Sequence, residues 1–394
     1  MFEHMQAAPA DAILRTMVEH RDDPRPHKID LGVGVYKTPE GVTPVLASVK
    51  VAEQELLDSQ TTKTYLGSSG SADFNAAMAE LTFGNNDLAD RLVTLQTPGG
   101  SGSLRVAAGV ILKADRSRTI WVGEPTWANH IPLLGNAGLE LKTVPYYDRE
   151  THSLREDEYL DALRHAPAGD IVLMHACCHN PSGIDPTPEQ WKAIADIIVE
   201  RGLVPMIDMA YQGFGDGLAE DALIIRELAD RVPEMIVCNS CSKNFGLYRD
   251  RVGLLSVLVR DAATRDIVQS QSNTIVRTLY SMPPDHGAAV VNIILNDPSL
   301  RSQWESEVAD MRTRISGMRR LFHDALADKA PSRDFSHLVR ARGMFCFLGV
   351  TPEQVERLKK EHAVYMVDSS RINVAGINAD NVEHLAASVA AVLD

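Results

Sequence analysis

Six short stretches in the middle of the chain are apolar at consecutive positions rather than at alternate ones. Strands covered by helices on both faces have this pattern, because neither side of such a strand meets water. Stretches with helical periodicity lie between them, and the alternation predicts an α/β fold with a mostly parallel sheet. The apolar stretches are RLVTLQT, RTIWVG, DIVLMH, LVPMIDM, EMIVCN and VGLLSVLV, and the clearest helical ones are GSLRVAAGVILKAD and TPEQWKAIADIIVERG.

The pattern changes near residue 298. A long helical stretch begins there and is followed by GMFCFLGV, VYMV and a C-terminal amphipathic helix. Fewer strands and a separate set of helices predict a smaller α+β domain. We predict an N-terminal segment, residues 1–45, that joins the small domain, a large ligand-binding domain at 46–310, and the small domain at 311–394.

Composition excludes several classes of protein. The 394 residues include 39 Lys and Arg against 53 Asp and Glu, a net charge of −14, with no dense basic run. Nucleic-acid surfaces need clustered positive charge, so we expect no nucleic-acid partner. The start of the chain lacks the features of a signal peptide, and no apolar run reaches the ~18 residues of a membrane span. We therefore expect a cytoplasmic protein without a membrane anchor.

Cys238 and Cys241 form a C-x-x-C pattern. A metal or redox site is one reading, and a pair of reduced thiols is the other. The chain has no second C-x-x-C, and the pair flanks the predicted end of a strand. We interpret these residues as reduced thiols and predict no metal site.

Lys243 lies among small polar residues directly after a predicted strand. Ser240 and Ser242 flank it, Gly246 frees the backbone, and Arg251 follows eight residues later. Serine hydroxyls with an arginine can hold a phosphate. A lysine amine beside a phosphate site suits pyridoxal phosphate, which a lysine bonds as an imine. From this stretch alone, an ordinary loop lysine with incidental neighbours is an equal alternative.

Glycines precede a predicted helix in TPGGSGSLRVAAG. The N–H groups at a helix N-terminus bind phosphate. The sequence Gly100-Ser101-Gly102 also resembles the start of a nicotinamide-binding motif, but Arg105 stands where that motif has its third glycine. The nicotinamide interpretation therefore fails in detail, and what the glycines bind depends on the motifs that accompany them.

Two further polar positions follow predicted strands. Asp208 ends one strand, with Tyr211 three residues later, and Asn180 follows another. An aspartate at the carboxyl end of a parallel strand lies where α/β sheets bind ligands, and there it could keep a pyridine nitrogen protonated. Tyr211 and Asn180 could then donate to the ring oxygen. A helix cap is the alternative role for Asp208.

Taken together, these residues resemble the class I, fold-type I pyridoxal-phosphate aminotransferases, and specifically the aspartate and aromatic amino-acid subgroup. The resemblance covers nearly the whole chain and is strongest in the stretch around Lys243. The matching motifs are LGVGVYK, TKTYLGSSG, PGGSGSLR, PTWANH, CCHNPSG, DMAYQGF, SCSKNFGLYRDRVG, YSMPPDHGA, RGMF and SRINVAGIN.

The resemblance implies a role for each matched residue around the cofactor. Lys243 corresponds to the lysine that bonds pyridoxal 5'-phosphate and moves the substrate proton. Asp208 corresponds to the partner of the pyridine nitrogen, and His130 to the group behind that aspartate. The remaining cofactor-binding positions implied are Gly100, Ser101, Gly102, Trp127, Asn180, Tyr211, Ser240, Ser242, Arg251 and Tyr65. Position 101 is usually threonine in the family, and serine keeps the hydroxyl.

The resemblance also implies how substrates bind. Arg371 corresponds to the arginine that binds the α-carboxylate, with the backbone of Gly34 assisting. Trp127 and Asn180 also contact substrate in the family. Tyr65 and Arg277 correspond to residues that a homodimer lends to the neighbouring site, so the active sites are expected to be shared. Three alternative functions remain: a pyridoxal-phosphate lyase or decarboxylase, a non-catalytic sensor with a DNA-binding module, and a nicotinamide dehydrogenase.

The implied reaction is a ping-pong transfer of an amino group between L-amino acids and 2-oxoglutarate. Leu279 and Met282 stand where dicarboxylate-specific members typically have asparagine, and Thr64 replaces another asparagine. Apolar side chains suit an aromatic substrate better than a second carboxylate. We therefore predict activity on aromatic and dicarboxylic amino acids, with aspartate aminotransferase as the alternative.

Overall fold

The computed structural model describes residues 1–7, 12–84 and 87–393. The chain divides into two compact units: Met1–Thr43 with Arg314–Asp394, called here the small unit, and Pro44–Thr313, the large unit. Within the described ranges, no helix is both long and apolar enough to cross a bilayer.

The strands agree closely with the apolar stretches of the sequence, since each of the six predicted stretches contains one strand of the large unit. In chain order the strands are β1 (Ile29–Asp30), β2 (Leu92–Pro98), β3 (Thr119–Glu124), β4 (Glu140–Pro145), β5 (Tyr147–Asp148), β6 (Ser153–Leu154), β7 (Ile171–His175), β8 (Val204–Met209), β9 (Met235–Ser240), β10 (Val252–Leu258), β11 (Phe345–Phe347), β12 (Val364–Tyr365) and β13 (Arg371–Asn373).

The helices are also numbered in chain order. Short 3₁₀ turns lie at Phe2–His4, Glu220–Ala222 and Val374–Gly376. The α-helices are α1 (Ala12–Asp22), α2 (Ala47–Ser59), α3 (Ala72–Phe83), α4 (Gly99–Ala114), α5 (His130–Gly135), α6 (Glu156–His165), α7 (Pro188–Arg201), α8 (Leu223–Arg231), α9 (Ala262–Leu279), α10 (His286–Asn296), α11 (Pro298–Lys329), α12 (His337–Arg340), α13 (Pro352–His362) and α14 (Val382–Leu393).

The large unit is built on a sheet in the order β2-β10-β9-β8-β7-β3-β4. The pairs from β9 to β4 are parallel, whereas β10 runs antiparallel to both of its neighbours. Helix α4 packs against β2, β9 and β10. The predicted α/β class with a mostly parallel sheet is therefore confirmed.

Local sequence explains why helix α7 begins and ends where it does. Thr187 and Gln190 form a capping box, Pro188 occupies the first turn, and Gly202 ends the helix in the left-handed conformation with φ of 62°. The box satisfies N–H groups that have no partner inside the helix. After Gly202 the chain enters β8, the strand that carries Asp208.

The small unit contains two strand pairs. β1 pairs with β12 in parallel, and β11 pairs with β13 antiparallel. Helix α11 crosses the division of the chain, because residues up to Thr313 belong to the large unit and those from Arg314 to the small unit.

Candidate active site

Neighbouring strands bring polar side chains to one edge of the large unit's sheet. Asp208, near the carboxyl end of β8, is aligned with His175 of β7 and Cys238 of β9. Ser240 ends β9. Parallel strands end at the same edge, which is where α/β sheets bind ligands. We call Asp208, Tyr211, Ser240, Ser242, Lys243 and Arg251 the strand-end group.

His130, at the start of α5, contacts Asp208. Asp208 Oδ2 accepts a hydrogen bond from His130 Nε2 at 3.1 Å, and a bond of 2.8 Å joins His130 Nδ1 to the hydroxyl of Thr126. Burial alone would raise the pKa of Asp208, but the hydrogen bond from His130 and nearby positive charge hold the pKa below its usual value. Asp208 is therefore a buried carboxylate that stays ionised at neutral pH.

Two histidines that the sequence analysis did not predict, His175 and His179, lie beside His130 and Asp208. The ring centroids of His130 and His175 are 5.3 Å apart, and those of His175 and His179 are 4.7 Å apart. Burial lowers the pKa of His175 to about 4 and holds the pKa of His179 well below its usual value. Both rings are neutral at pH 7. No sequence signal marks His175, because it reads as the last residue of an apolar strand.

Lys243 lies in a tight turn just after β9. The N–H of Gly246 donates to the carbonyl of Lys243 at 3.0 Å, and Gly246 has a φ of 65°, which favours glycine. Lys243 Nζ lies 5.1 Å from the centroid of the buried Tyr211 ring. The charge of Lys243 also helps to lower the pKa of Asp208. The amine, the phenol and the carboxylate therefore belong to one site.

Two serines and an arginine form the next part of the site. Ser240 Oγ donates to Ser242 Oγ at 3.1 Å, and Arg251 Nη1 donates to Ser242 Oγ at 3.2 Å and to the carbonyl of Tyr248 at 3.2 Å. Both acceptors are uncharged, and among the described residues no carboxylate forms an ion pair with the Arg251 guanidinium. Hydroxyls beside such a charge suit an anion with several oxygens.

Helix α4 begins directly against this group. A Cβ at Gly99 would lie 2.5 Å from Arg251 Nη2, and one at Gly100 would lie 3.1 Å from Ser240 Cβ. Pro98, the N-cap residue, gives the helix no side-chain cap. The first N–H groups of α4, those of Gly99, Gly100 and Ser101, have no partners inside the helix. These donors supply the positive end of a helix dipole next to Arg251.

Asn180 and Trp127 complete the predicted cofactor positions in the large unit. Asn180 is buried, and its Oδ1 has no hydrogen-bond partner in the part of the chain that the structure describes. An unsatisfied buried polar atom costs about 1–3 kcal/mol, which contact with a ligand would offset. The Trp127 ring meets His130 edge-on, with centroids 5.2 Å apart.

The predicted carboxylate-binding residues lie in the small unit. Arg371, at the start of β13, is buried, and its Nη2 donates to the carbonyl of Gly32 at 2.9 Å. Its guanidinium lies 4.4 Å from the centroid of the Phe345 ring. A Cβ at Gly34 would lie 3.1 Å from Phe345 Cζ. Arg371, Phe345 and the loop at Gly32–Gly34 therefore form one cluster.

Tyr65 and Arg277 differ from the other predicted site residues. The Tyr65 side chain is 93% exposed, and Arg277 donates a hydrogen bond to the hydroxyl of Ser281. Within the described ranges, neither residue forms a hydrogen bond to the strand-end group. The structure of one chain does not bring these two residues into that group.

The cysteines are all buried free thiols. Among the described residues, two groups have ligand atoms close enough for a metal: His130 with His175 and Asp208, and Cys177 with Cys178 and Asp221. Cys238 and Cys241 belong to neither group. In the second, both carboxylate oxygens of Asp221 already accept backbone N–H bonds.

Comparison of the sequence with known protein families identifies the family of this chain. The family model described as aminotransferase class I and II matches residues 26–389. The chain belongs to this aminotransferase family. The resemblance stated from the motifs is therefore confirmed.

Individual aminotransferases are similar over the full chain. The aspartate aminotransferase of Escherichia coli K12 is 50% identical, with 100% of both chains covered. The aromatic-amino-acid aminotransferase of Pseudomonas aeruginosa is 46% identical, covering 99% of this chain and 98% of that protein. The structure of the Burkholderia pseudomallei aromatic-amino-acid aminotransferase, covalently bound to pyridoxal phosphate, superimposes with a TM-score of 0.98 at 38% identity and covers 100% of both chains. The predicted fold type is confirmed.

Proposed function

We propose that this aminotransferase uses pyridoxal 5'-phosphate, bonded to Lys243, to transfer amino groups between L-amino acids and 2-oxoglutarate. The observation that carries the proposal is the strand-end group itself. A lysine amine, a buried ionised aspartate and an arginine–serine anion site lie together at one sheet edge.

The residues present fit this cofactor. Ser240, Ser242, Arg251 and the first turn of α4 offer donors to a phosphate, and glycines at 99 and 100 keep the helix close to Arg251 and Ser240. Side chains at those two positions would fill the space in which phosphate oxygens would lie.

When bound, the cofactor supplies an aldehyde that takes up the substrate amine and a ring that accepts electrons from the substrate α-carbon. The Asp208 carboxylate, kept ionised by His130, would hold a proton on the ring nitrogen. Tyr211 and Asn180 would donate hydrogen bonds to the ring oxygen, and Trp127 would pack against the ring. Lys243 carries the proton that leaves the α-carbon, since its amine lies within the same group.

Arginine side chains bind the substrate carboxylates. Arg371, beside the Gly34 backbone, binds the α-carboxylate through a bidentate guanidinium pair. Arg371 is buried beside the carbonyl of Gly32 and the ring of Phe345, and a guanidinium offers a carboxylate two parallel N–H donors. In the ping-pong order, the first amino acid leaves as its 2-oxo acid before 2-oxoglutarate enters.

Tyr65 and Arg277 serve the active site of a second copy in a homodimer. Their exposure in one chain supports this, as do the large apolar side chains that α2 leaves in solvent, with Val51 50% and Leu57 75% exposed. Exposed apolar groups of this size are common at protein–protein contacts. The protein works in the cytoplasm on small amino and 2-oxo acids, and neither nucleic acid nor membrane is a partner.

The substrates are aromatic as well as dicarboxylic amino acids. Leu279 is 38% exposed and lies on the same helix as Arg277, two residues on. Leu279 and Met282 offer an apolar, adaptable surface instead of amides that would fix Arg277 on a distal carboxylate. Aspartate aminotransferase activity is the second candidate, favoured by the 50% identity to the Escherichia coli enzyme.

An absorbance spectrum of the purified protein tests the cofactor and the reaction class together. With pyridoxal phosphate added, we expect a visible absorbance band from the covalent complex. Glutamate should convert this band to that of pyridoxamine phosphate. Lys243→Ala should lose the covalent band. A parent spectrum identical to that of free pyridoxal phosphate, unchanged by glutamate, would contradict the proposal.

Steady-state rates decide between the two substrate profiles. We expect kcat/KM for phenylalanine and tyrosine, with 2-oxoglutarate as acceptor, to lie within about a hundredfold of that for aspartate. If aspartate exceeds both aromatic substrates by about a thousandfold, a difference of ~4 kcal/mol, the protein is an aspartate aminotransferase.

A further inference from the structure

Trp304 is buried in the large unit, and it contacts the turn that carries Lys243. Its side chain is 0% exposed. Its Nε1 donates a hydrogen bond of 2.8 Å to the carbonyl of Asn244, the residue directly after Lys243. Trp304 lies on α11, 60 residues further along the chain, so this contact is made only by the folded protein.

A second contact holds the same turn. The ring of Phe245 stacks on Trp304 with centroids 4.3 Å apart and planes 7° from parallel. The turn is closed by the hydrogen bond from Gly246 N to Lys243 O. Trp304 therefore fixes the backbone on the C-terminal side of Lys243 by one directed bond and one ring stack.

The same face of α11 reaches the turn after Tyr211. Positions 304, 308 and 312 are four residues apart and lie on one side of a helix. A Cβ on Gly213 would lie 2.5 Å from Val308 Cγ1, and Arg312 Nη1 donates to the carbonyl of Gly213 at 2.9 Å. One helix face thus holds the turns that carry Lys243 and Tyr211.

Helix α11 is itself anchored within the large unit. Glu307 accepts a hydrogen bond from the N–H of Ala47 at 2.6 Å and another from Ser48 at 3.3 Å. These residues begin α2, whose N-cap Leu46 provides no side-chain cap. The negative carboxylate at this helix N-terminus stabilises both elements. The helix that carries Trp304 is therefore held in place by contacts within the large unit.

We propose that Trp304 is a positioning residue that sets the location of the Lys243 amine, an inference that rests on the proposed function of Lys243. A lysine side chain has several rotatable bonds, so its amine can be placed only if its backbone is fixed. Displacements of about 1 Å at reacting groups can cost about a hundredfold in rate. The hydrogen bond from the Trp304 indole to the Asn244 carbonyl restrains the backbone next to Lys243.

The test compares two tryptophans of the large unit. Trp304→Phe keeps a ring against Phe245 but removes the donor to Asn244. Trp121→Phe is the matched control, because Trp121 is also buried and donates its indole N–H, at 2.9 Å, to Asp170. Substitution of residue 304 by 3-benzothienylalanine, which keeps the bicyclic shape and lacks the N–H, serves if phenylalanine unfolds the protein.

Two measurements depend on the position of the Lys243 amine, and the melting temperature measures stability. The first is the rate at which the cofactor-free full chain forms its covalent band with pyridoxal phosphate. The second is the primary isotope effect on kcat with Cα-deuterated glutamate. We expect Trp304→Phe to slow the covalent reaction about tenfold and to raise the isotope effect, while Trp121→Phe leaves both within about twofold of the parent.

Each outcome bears on the proposal. Variants at 304 that react with pyridoxal phosphate within about twofold of the parent rate, with an unchanged isotope effect, would overturn the role of Trp304. Equal effects of Trp304→Phe and Trp121→Phe at equal melting temperatures would do the same, since both would then reflect general stability. A parent chain that forms no covalent complex would overturn the proposed function as well as this inference.

Discussion

The strand-end group and the pair Tyr65 and Arg277 differ in what a single chain provides around them. Asp208 is buried, receives a hydrogen bond from His130 and lies close to the Lys243 amine. Tyr65 is 93% exposed, and Arg277 donates a hydrogen bond to the hydroxyl of Ser281, just after the end of its own helix. One chain therefore buries Asp208 and its neighbours, whereas Tyr65 and Arg277, the two residues predicted to serve a second copy's site, are exposed.

This difference has a physical meaning. Buried charges must be paired or hydrogen-bonded, so the surroundings of Asp208 constrain its position and its ionisation. An exposed tyrosine or arginine has many conformations of similar free energy, and ordering it costs side-chain entropy. A second copy of the chain that covers Tyr65 and Arg277 would order them at the moment of assembly.

The largest expected effect is on the buried side of the comparison. Lys243→Ala should lower kcat by about 10⁴-fold or more, because both the covalent bond and the proton carrier are lost. Folding and part of the cofactor affinity should remain, since the serines and Arg251 are unchanged. Lys142→Ala, at a lysine that lies over the Trp121 ring, is the control. Turnover within about tenfold of the parent, ~1.4 kcal/mol in barrier, would remove Lys243 from the mechanism.

A smaller loss is expected when the carboxylate is neutralised. Asp208→Asn should leave a coloured, cofactor-bound protein whose kcat is lowered about 10²–10³-fold, because an amide cannot balance a protonated ring nitrogen. Asp170→Asn, which changes another buried aspartate of the same unit, should leave kcat nearly unchanged. A near-normal rate for Asp208→Asn would show that Asp208 is only structural.

The smallest effect concerns stability against acid. His175 is neutral in the folded protein, with a pKa of about 4 against a usual 6.5, because burial disfavours its charge. Unfolding below pH 6.5 therefore takes up a proton, and stability is lost as the pH falls from 6.5 towards 4. The shift corresponds to about 3 kcal/mol. Unfolding free energies of parent and His175→Gln should converge as the pH falls through this range; parallel curves would show that His175 does not titrate in this way.

Much of the fold could be predicted from the sequence because its signals are local. Continuous apolar runs mark the buried strands, and Thr187 with Gly202 marks both ends of α7. The antiparallel direction of β10 could not be predicted, since an apolar run reads the same in either direction. The sequence also gives no continuous apolar run for β4, because four of its six residues are exposed at the sheet edge.

The candidate site shows the same division. Motif spacing predicts Lys243, Asp208 and Arg251, because Asp208 lies near the end of a strand and the other two lie in the loop between β9 and β10. His175 and Trp304 carry no such signal, since their roles arise from strand register and from a contact between residues 60 apart in the chain. Long-range contacts of this kind become visible only in the folded chain.

Mixing two inactive variants tests most directly whether the exposed pair serves a second copy. In a hybrid of Lys243→Ala and Arg277→Ala chains, one site combines an intact lysine with the partner's intact arginine. Random exchange should restore activity on aspartate to about a quarter of the parent value, because half of the dimers are hybrids with one complete site. No recovery, in mixtures shown by mass to contain hybrid dimers, would contradict the assignment of Arg277 to the partner's site.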